Sequence, residues 1–498
     1  MSLFDAIKKF FSGFGNPESE VSEWTAELNR NAEDMFSTER NSSAKTKGEP
    51  SNTTDLWGTE SQSSSQSEVR YDADEPKTES EAPAKSVKKS AESPNKKFDP
   101  EKSRELIIVY TAQEVRKLVK DGADPNFVSE HGFTPLMFAD DPEVIKALVE
   151  CGADPNAKDE NGYPVIVKME TPECIKTLVE CGADVNAKAE GGRTALMYRD
   201  NPEVIKTLVG CGADVNARND DGQTALMLAN NPEVIKILVE CGADVNARDD
   251  DGLTALMLAS DPEVIKALVE CGADVNARDN DGWTAMMYND TPDELRALIE
   301  AGGDVNARDN SGRTPLMRAE DPECIRILLE CGADINARGN DGENVLMCSC
   351  HDAECNKILI EAGADVNAKD NDGWTPLMRT EDPESARTFL ECGADIKARD
   401  NGGKTALMTT FDAECVKILI KAGADVNAKD NDGWTPLMHH IDEPEIIEVL
   451  IEAGADVNAR DINGLTALGL LGQFDEDDSL QDEHKEVRAL LLKAGAVE

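Results

Sequence analysis

The chain predicts an all-α solenoid, built of stacked helix–turn–helix repeats with protruding β-hairpin or turn fingers. Three observations carry this. A Gly-Ala-Asp unit, or a close variant of it, recurs with its glycine at Gly122, Gly152, Gly182, Gly212, Gly242, Gly272, Gly302, Gly332, Gly363, Gly393, Gly423 and Gly454. Nine of the intervals are 30 residues and two are 31, a period that marks a repeat stack. At 498 residues the chain is also too long for one ordinary core, and only 4% of it is aromatic.

The elements of one unit follow from its residues. Between Gly252 and Gly282, Thr254 opens a short first helix through Ala259. Asp261 is a good N-cap and Pro262 a good first residue for a second helix, Pro262 to Cys271, with Val264, Ile265, Leu268 and Val269 on one face. Gly272 stands after the C-cap, where a left-handed backbone is needed. Ala273 to Ala277 is extended, and Asp279-Asn280-Asp281-Gly282 is a turn. Neither helix is long enough to be stable alone, so each apolar face is covered by the next unit. With the degenerate last copy Gly495-Ala496-Val497, thirteen units fill residues 101–498.

These units resemble the ankyrin repeat family. The resemblance rests on Thr-Pro-Leu at 134–136, 314–316, 375–377 and 435–437, and on Gly-Ala-Asp-Val-Asn-Ala at 182–187, 212–217, 242–247 and 272–277. It implies right-angled units with fingers projecting to one side, and protein partners bound by the fingertips and the concave face of the first helices. There are two departures. The period is three residues shorter than the family's usual 33, and the shortening falls between the helices, where Met257 is followed by Pro262. A shortened first helix follows. The family's histidine after Thr-Pro-Leu is replaced by methionine, at Met137, Met197, Met227, Met257, Met287, Met317, Met347, Met378, Met408 and Met438. Methionine fills irregular gaps, so this ladder is expected in the core.

Residues 1–100 are compositionally unlike the rest. Leu3, Phe4, Ile7, Phe10, Phe11 and Phe14 recur at helical spacing beside Lys8 and Lys9, and a second amphipathic helix starts near Pro17, giving N-terminal helices over 1–36. Residues 37–100 are rich in Ser, Thr, Lys, Glu and Pro and read as a disordered linker. The basic, Phe-rich segment 2–14 suits peripheral membrane contact.

Charge narrows the partner. With 99 Asp plus Glu against 51 Lys plus Arg, the net charge is -48. Such a chain repels nucleic acid, and a protein partner with a basic surface suits it better. No run reaches the roughly 18 apolar residues that span a bilayer, and no signal-peptide pattern opens the chain. The expected location is cytoplasmic, and the expected state a monomer. The Pro-Glu-Val-Ile-Lys style of the second helix resembles bacterial ankyrin proteins, which adds export into a host cell as an alternative.

The recurring reactive residues have structural explanations. Cys151, Cys181, Cys211, Cys241, Cys271, Cys331 and Cys392 end the second helices at helix-packing spacing, too far apart for disulfides, and read as reduced thiols packed between units. Cys174, Cys324, Cys355 and Cys415 replace a core valine. Cys348, Cys350, His351 and Cys355 are dense enough to suggest zinc, but packing accounts for Cys348 and Cys355, so no metal or cofactor is expected. Turns such as Asp249-Asp250-Asp251-Gly252 lack calcium-loop spacing and read as solvated. The base before each turn (Lys158, Lys188, Arg218, Arg248, Arg278, Arg308, Arg338) is expected to pair with nearby carboxylates. No histidine belongs to a nucleophile–base arrangement, and His439-His440 reads as a surface pair, so the chain is not expected to be an enzyme.

Two positions vary most between units. One follows the turn glycine and the other follows the methionine. Trp283, Tyr288, Arg313, Arg318, Trp374, Arg379, Trp434 and His439 occupy them in the C-terminal half, and Trp, Tyr and Arg are the residues that dominate interface hot spots. These eight are the predicted partner-binding residues of a protein-interaction scaffold. The alternatives are a structural spacer and a membrane-tethered or host-directed adaptor.

Overall fold

The computed structural model describes residues 98–130, 132–289, 291–348, 352–474 and 481–497. The expected helices of 1–36 and nearly all of the expected linker lie outside the described residues. Glu92–Glu498 forms one compact unit.

That unit is an all-α repeat stack. Nine-residue helices recur along it, from Ala112–Lys120 and Pro142–Glu150 through Pro262–Glu270 to Pro444–Glu452, and the last helix is Gln481–Lys493. Their starts are set by capping. Asp261 accepts from the backbone N–H of Glu263 (2.7 Å) and of Val264 (3.3 Å), and Pro262 supplies a first residue with no N–H to satisfy. Their ends are set by glycine. Cys271 caps the helix rather than closing it, Gly272 adopts φ +94°, and Ala273 N–H donates to the Leu268 carbonyl at 3.0 Å. Val264, Ile265, Ala267 and Leu268 are buried between units, where each large side chain contributes about 1.5–3 kcal/mol as an upper estimate.

The first helices are as short as the missing residues require. Pro315–Arg318, Pro376–Arg379 and Pro436–His439 are four residues long. In the unit of Thr254 the expected helix through Ala259 is only a hydrogen-bonded turn. All ten ladder methionines are buried. The fingers are turns: one isolated β-bridge, Lys158 with Pro164, is the only strand-like pairing among the described residues.

Three polar ladders tie unit to unit. In the first, the asparagine of Gly-Ala-Asp-Val-Asn reaches the next unit with both ends of its amide. Asn246 donates to the Gly272 carbonyl (3.3 Å) and accepts from Asp274 N–H (2.8 Å). Only a short amide can do both; among the described residues the series is broken at Asn336, which makes neither cross-unit bond, and at Lys397, which has no amide.

The second ladder corrects an expectation. Apart from Arg278, the base before these turns donates mainly to a backbone carbonyl, that of its own counterpart one unit on: Arg308 to Arg338 O (2.6 Å), Lys369 to Arg399 O (2.6 Å) and Lys429 to Arg460 O (2.7 Å). Arg218 alone of the seven bases considered adds a carboxylate, Asp250. The turn leaves that carbonyl without an intra-unit partner, so a long cation satisfies it.

The third runs along the fingertips. Asn310 N–H donates to Asp281 O (2.9 Å), and its side chain to Asn280 O (3.0 Å); Asn340, Asn371, Asn401 and Asn431 continue the series. Gly282 is required here twice over. Its φ is +82°, and a Cβ would lie 2.5 Å from the Asn310 side-chain oxygen.

Candidate protein interface

The predicted partner-binding residues converge on an aspartate that the sequence reading placed in solvent. Asp250 and Asp251 are exposed, but the first acid of several turns (Asp249, Asp279, Asp309, Asp370) is buried. Its two oxygens divide the work. In Asp279, Oδ1 accepts from Asp281 N–H (2.9 Å) and Trp283 N–H (2.7 Å), which fixes the turn and the residue after the glycine. Oδ2 accepts from the side chain nine residues on, the Tyr288 hydroxyl. Asp309 holds Arg318 at 2.7 Å, Asp370 holds Arg379 at 2.7 Å, and Asp430 contacts His439 Nε2 at 2.8 Å.

The two variable positions therefore form one strip. Trp283 and Tyr288 have ring centroids 5.0 Å apart, and Trp434 and His439 5.3 Å. Neighbouring units are linked as well: the Arg318 guanidinium lies 3.4 Å from the Trp283 ring centre, and Arg313 Nε donates to Glu343 at 3.0 Å. Trp374 completes the set beside Arg379, its backbone N–H bonded to Asp370 at 2.8 Å. All eight predicted residues are half-buried or exposed. Rings and guanidiniums held in one orientation have little rotamer freedom left to lose.

The strip also extends beyond the C-terminal half. Phe133 and Phe138 meet edge-to-face at 5.6 Å, Tyr163 and Tyr198 at 5.9 Å, and Lys168 sits over both Phe133 and Tyr163 while pairing with buried Asp159 at 3.2 Å. The signal that could have revealed the arrangement is the nine-residue spacing from each first turn acid to a donor.

Electrostatics follow burial. Desolvation raises the Tyr288 hydroxyl well above its ordinary pKa, and the hydrogen bond to Asp279 adds to this. Burial lowers His439, partly offset by Asp430. The Arg313 guanidinium is raised by its hydrogen bond to Glu343.

His439 and His440 are not a surface pair. His440 is fully buried, its Nε2 2.9 Å from the Leu407 carbonyl and its ring edge-on to Phe411. The backbone turns between the two, sending one ring to the strip and the other under it.

The cysteine ladder is less buried than expected. Cys151, Cys181, Cys211, Cys241 and Cys271 are half-buried and Cys331 and Cys392 exposed, because a C-cap lies at the rim of the packed face; all are free thiols. Cys174, Cys324, Cys355 and Cys415 are buried. Of the dense cysteine–histidine cluster, Cys350 and His351 lie outside the described residues. Cys348 is half-buried on the strip, and buried Cys355 directs its thiol to the Glu320 carbonyl at 3.2 Å. Burial pushes the Cys355 thiol up to about 12. Among the described residues no group of His, Cys, Asp and Glu is arranged to hold a metal ion.

A stack of short helix pairs at a fixed period defines an all-α repeat solenoid. Its family is then settled by sequence. A model of three consecutive ankyrin repeats matches over 163–249, 198–279, 260–339, 319–380 and 379–461, and a single-repeat model over 131–160; the chain belongs to the ankyrin repeat family. Ankyrin repeats are generally protein–protein interaction modules and typically not enzymes. Among solved structures, the ankyrin repeat domain of Bcl-3, described as a unique member of the IkappaB protein family, is 28% identical. It aligns over 40% of this chain and 100% of its own, with a TM-score of 0.36. No curated protein matches the chain. No helix among the described residues is long and apolar enough to cross a membrane.

Proposed function

We propose that this protein is an interaction scaffold whose partner docks on the strip formed by the two variable positions, with Trp283, Tyr288, Arg313, Arg318, Trp374, Arg379, Trp434 and His439 as its main contacts. One observation supports this most: a buried carboxylate in each of several units fixes the strip side chains in place, and each of them keeps part of its surface exposed. Fixed aromatic and guanidinium anchors are the features of interface hot spots.

The acid excess lies around the strip, on tips such as Asp250, Asp251 and Asp281 and on the outer helices. It favours a partner with a basic periphery, steered by long-range attraction that salt weakens. The free thiols suit a reducing, cytoplasmic setting and a monomer. Peripheral membrane contact through residues 2–14, and export into a host cell, rest on sequence features alone.

Site-directed photo-crosslinking in cell extract tests the face. A crosslinker at Leu258 or Lys404, on the strip, is expected to capture the partner, and the Trp283/Trp374/Trp434→Ala variant to lose it. Capture from Lys266 or Lys417 on the outer helices instead, or capture unaffected by the triple variant, sinks the assignment.

A further inference from the structure

The strip differs from the rest of the surface in charge. Two positions in each of twelve units give twenty-four strip residues, and Glu343 is the only acid among them. Lys168, Arg193, Arg313, Arg318, Arg379 and Lys404 are basic. In a chain with nearly twice as many acids as bases, this reverses the balance.

The reversal is sharpest at one unit. Arg313 and Arg318 fill the two positions that bring rings into contact elsewhere on the strip. Their acids are buried: Asp309 is 1% and Glu343 3% exposed at the side chain, against 22% for Arg318 and 40% for Arg313. Each carboxylate takes one nitrogen of its guanidinium from below. Nη1 of Arg318 and both Nη of Arg313 are left with no hydrogen-bond partner among the described residues. Arg318 cannot swing away, because the Trp283 ring and Asp309 hold it on two sides.

Beside this pair lies an apolar stretch. Leu258 and Tyr288 are exposed, Trp283 is half-buried, and Leu228 and Leu253 are half-buried against the core. From the unit of Leu258 to that of Arg318 is two steps of helix packing, about 20 Å. Roughly six extended residues cover that distance.

We infer that Arg313 and Arg318 form a carboxylate-binding anchor, and that the docked segment of the partner is an extended peptide carrying one Asp or Glu next to large apolar side chains. The guanidinium forks grip the carboxylate with their outward N–H groups, and the apolar side chains lie along Trp283, Tyr288, Leu253 and Leu258. The two acids paired with the arginines are buried, Asp309 with both oxygens engaged and Glu343 with one, so an incoming carboxylate meets the guanidinium donors first. A partner that is basic at its periphery still reaches the strip, and the anchor then selects its register. This rests on the strip being the docking face.

The test uses the full chain and three labelled peptides of sequence Lys-Ser-Leu-Phe-Xaa-Leu-Phe-Ser-Lys, with Xaa as Glu, Gln or Lys, in fluorescence polarisation. The Glu peptide is expected to bind at least roughly ten-fold more tightly than the Gln peptide, the factor a charge-assisted hydrogen bond supplies. Arg313→Gln, at a half-buried position, is expected to remove most of that preference, and Arg318→Lys to reduce it by losing the fork. Equal binding of Glu and Gln peptides, tighter binding of the Lys peptide, or no saturable binding of any up to on the order of 1 mM overturns the anchor. Strip crosslinks that persist alongside such a result would leave the docking face standing and remove only the carboxylate.

Discussion

Asp249 shows what happens when the nine-residue partnership is incomplete. It is buried like Asp309, and its Oδ1 accepts from Asp251 N–H at 3.1 Å and Leu253 N–H at 2.8 Å. Nine residues on, where Asp309 has Arg318, it meets Leu258. Burial accordingly holds its carboxyl above the ordinary carboxylate range, and the backbone N–H groups offset this only in part. Two substitutions relieve the same cost by opposite routes. Leu258→Arg supplies the missing cation; Leu258 is 37% exposed, so little burial is lost, and a partly exposed pair contributes about 0.5–1 kcal/mol. Asp249→Asn removes the charge and keeps the turn, as the preceding unit already does: Asn219 accepts from Asp221 N–H (3.0 Å) and Gln223 N–H (2.7 Å) and stands nine residues before Leu228. A gain of similar size, about 0.5–1 kcal/mol, is expected. The gains must not add, because an arginine opposite an asparagine has no anion to meet; a coupling of about 1 kcal/mol follows.

The pH dependence has a fixed sign. A folded pKa raised above the unfolded value of about 3.9 means that wild type loses stability as pH rises through the folded pKa, and that Asp249→Asn loses its advantage below about pH 4. Hydrogen exchange over Leu253–Cys271 at neutral pH reads the local opening energy for all four proteins, and urea denaturation at pH 7 and pH 4 reads the pH effect. Additive gains, or an Asp249→Asn advantage that persists at pH 4, would refute the reasoning.

Three further outcomes follow from named contacts. His440 is buried, and its pKa is lowered to about 4, so the stability it contributes is present above about pH 6.5 and falls by up to roughly 3 kcal/mol as pH drops through 4; His440→Gln should flatten that loss in acid-titrated hydrogen exchange over Pro436–Leu450. Gly272 and Gly282 both have positive φ, but a Cβ at Gly272 meets nothing within 4 Å whereas one at Gly282 strikes Asn310; Gly272→Ala should cost about 1 kcal/mol and Gly282→Ala about 1–3 kcal/mol more in thermal denaturation, and equal costs would deny the fingertip contact. Lys397→Asn should restore the interrupted asparagine ladder and add about 1 kcal/mol to local protection over the following unit, Pro383–Glu391 serving as the control.

The backbone frame was legible because each of its elements is specified locally. Asp261-Pro262 caps a helix wherever it occurs, and Gly272 ends one for steric reasons that need no tertiary partner. The methionine ladder was legible from volume and polarity. The polar partnerships were not, because they depend on contacts 9 to 31 residues away that leave no mark on hydropathy. Asp249 and Asp250 are identical neighbours, yet one is buried and the other exposed. Arg308 reads as an exposed base, and only the stacked geometry shows that a carbonyl one unit on is within its reach. His439 and His440 differ for the same reason: the chain turns between them.

The division of labour between ladders and strip explains how a near-regular repeat can carry a specific surface. The asparagine, basic and fingertip ladders use backbone carbonyls and N–H groups, so they fix the spacing of units without using any strip side chain. The buried aspartate adds a second layer: Oδ1 holds the turn whatever follows it, and Oδ2 accepts tyrosine, arginine or histidine alike. A substitution at the strip therefore changes what the surface presents while the frame stays in register. The unit of Glu343 marks the boundary of that freedom. There Gly339 replaces the aspartate, and the buried acid is Glu343, which pairs with the arginine of the preceding unit. The carboxylate has moved one unit along the stack, and what it gains in that position is Arg313, the residue on which the proposed anchor depends.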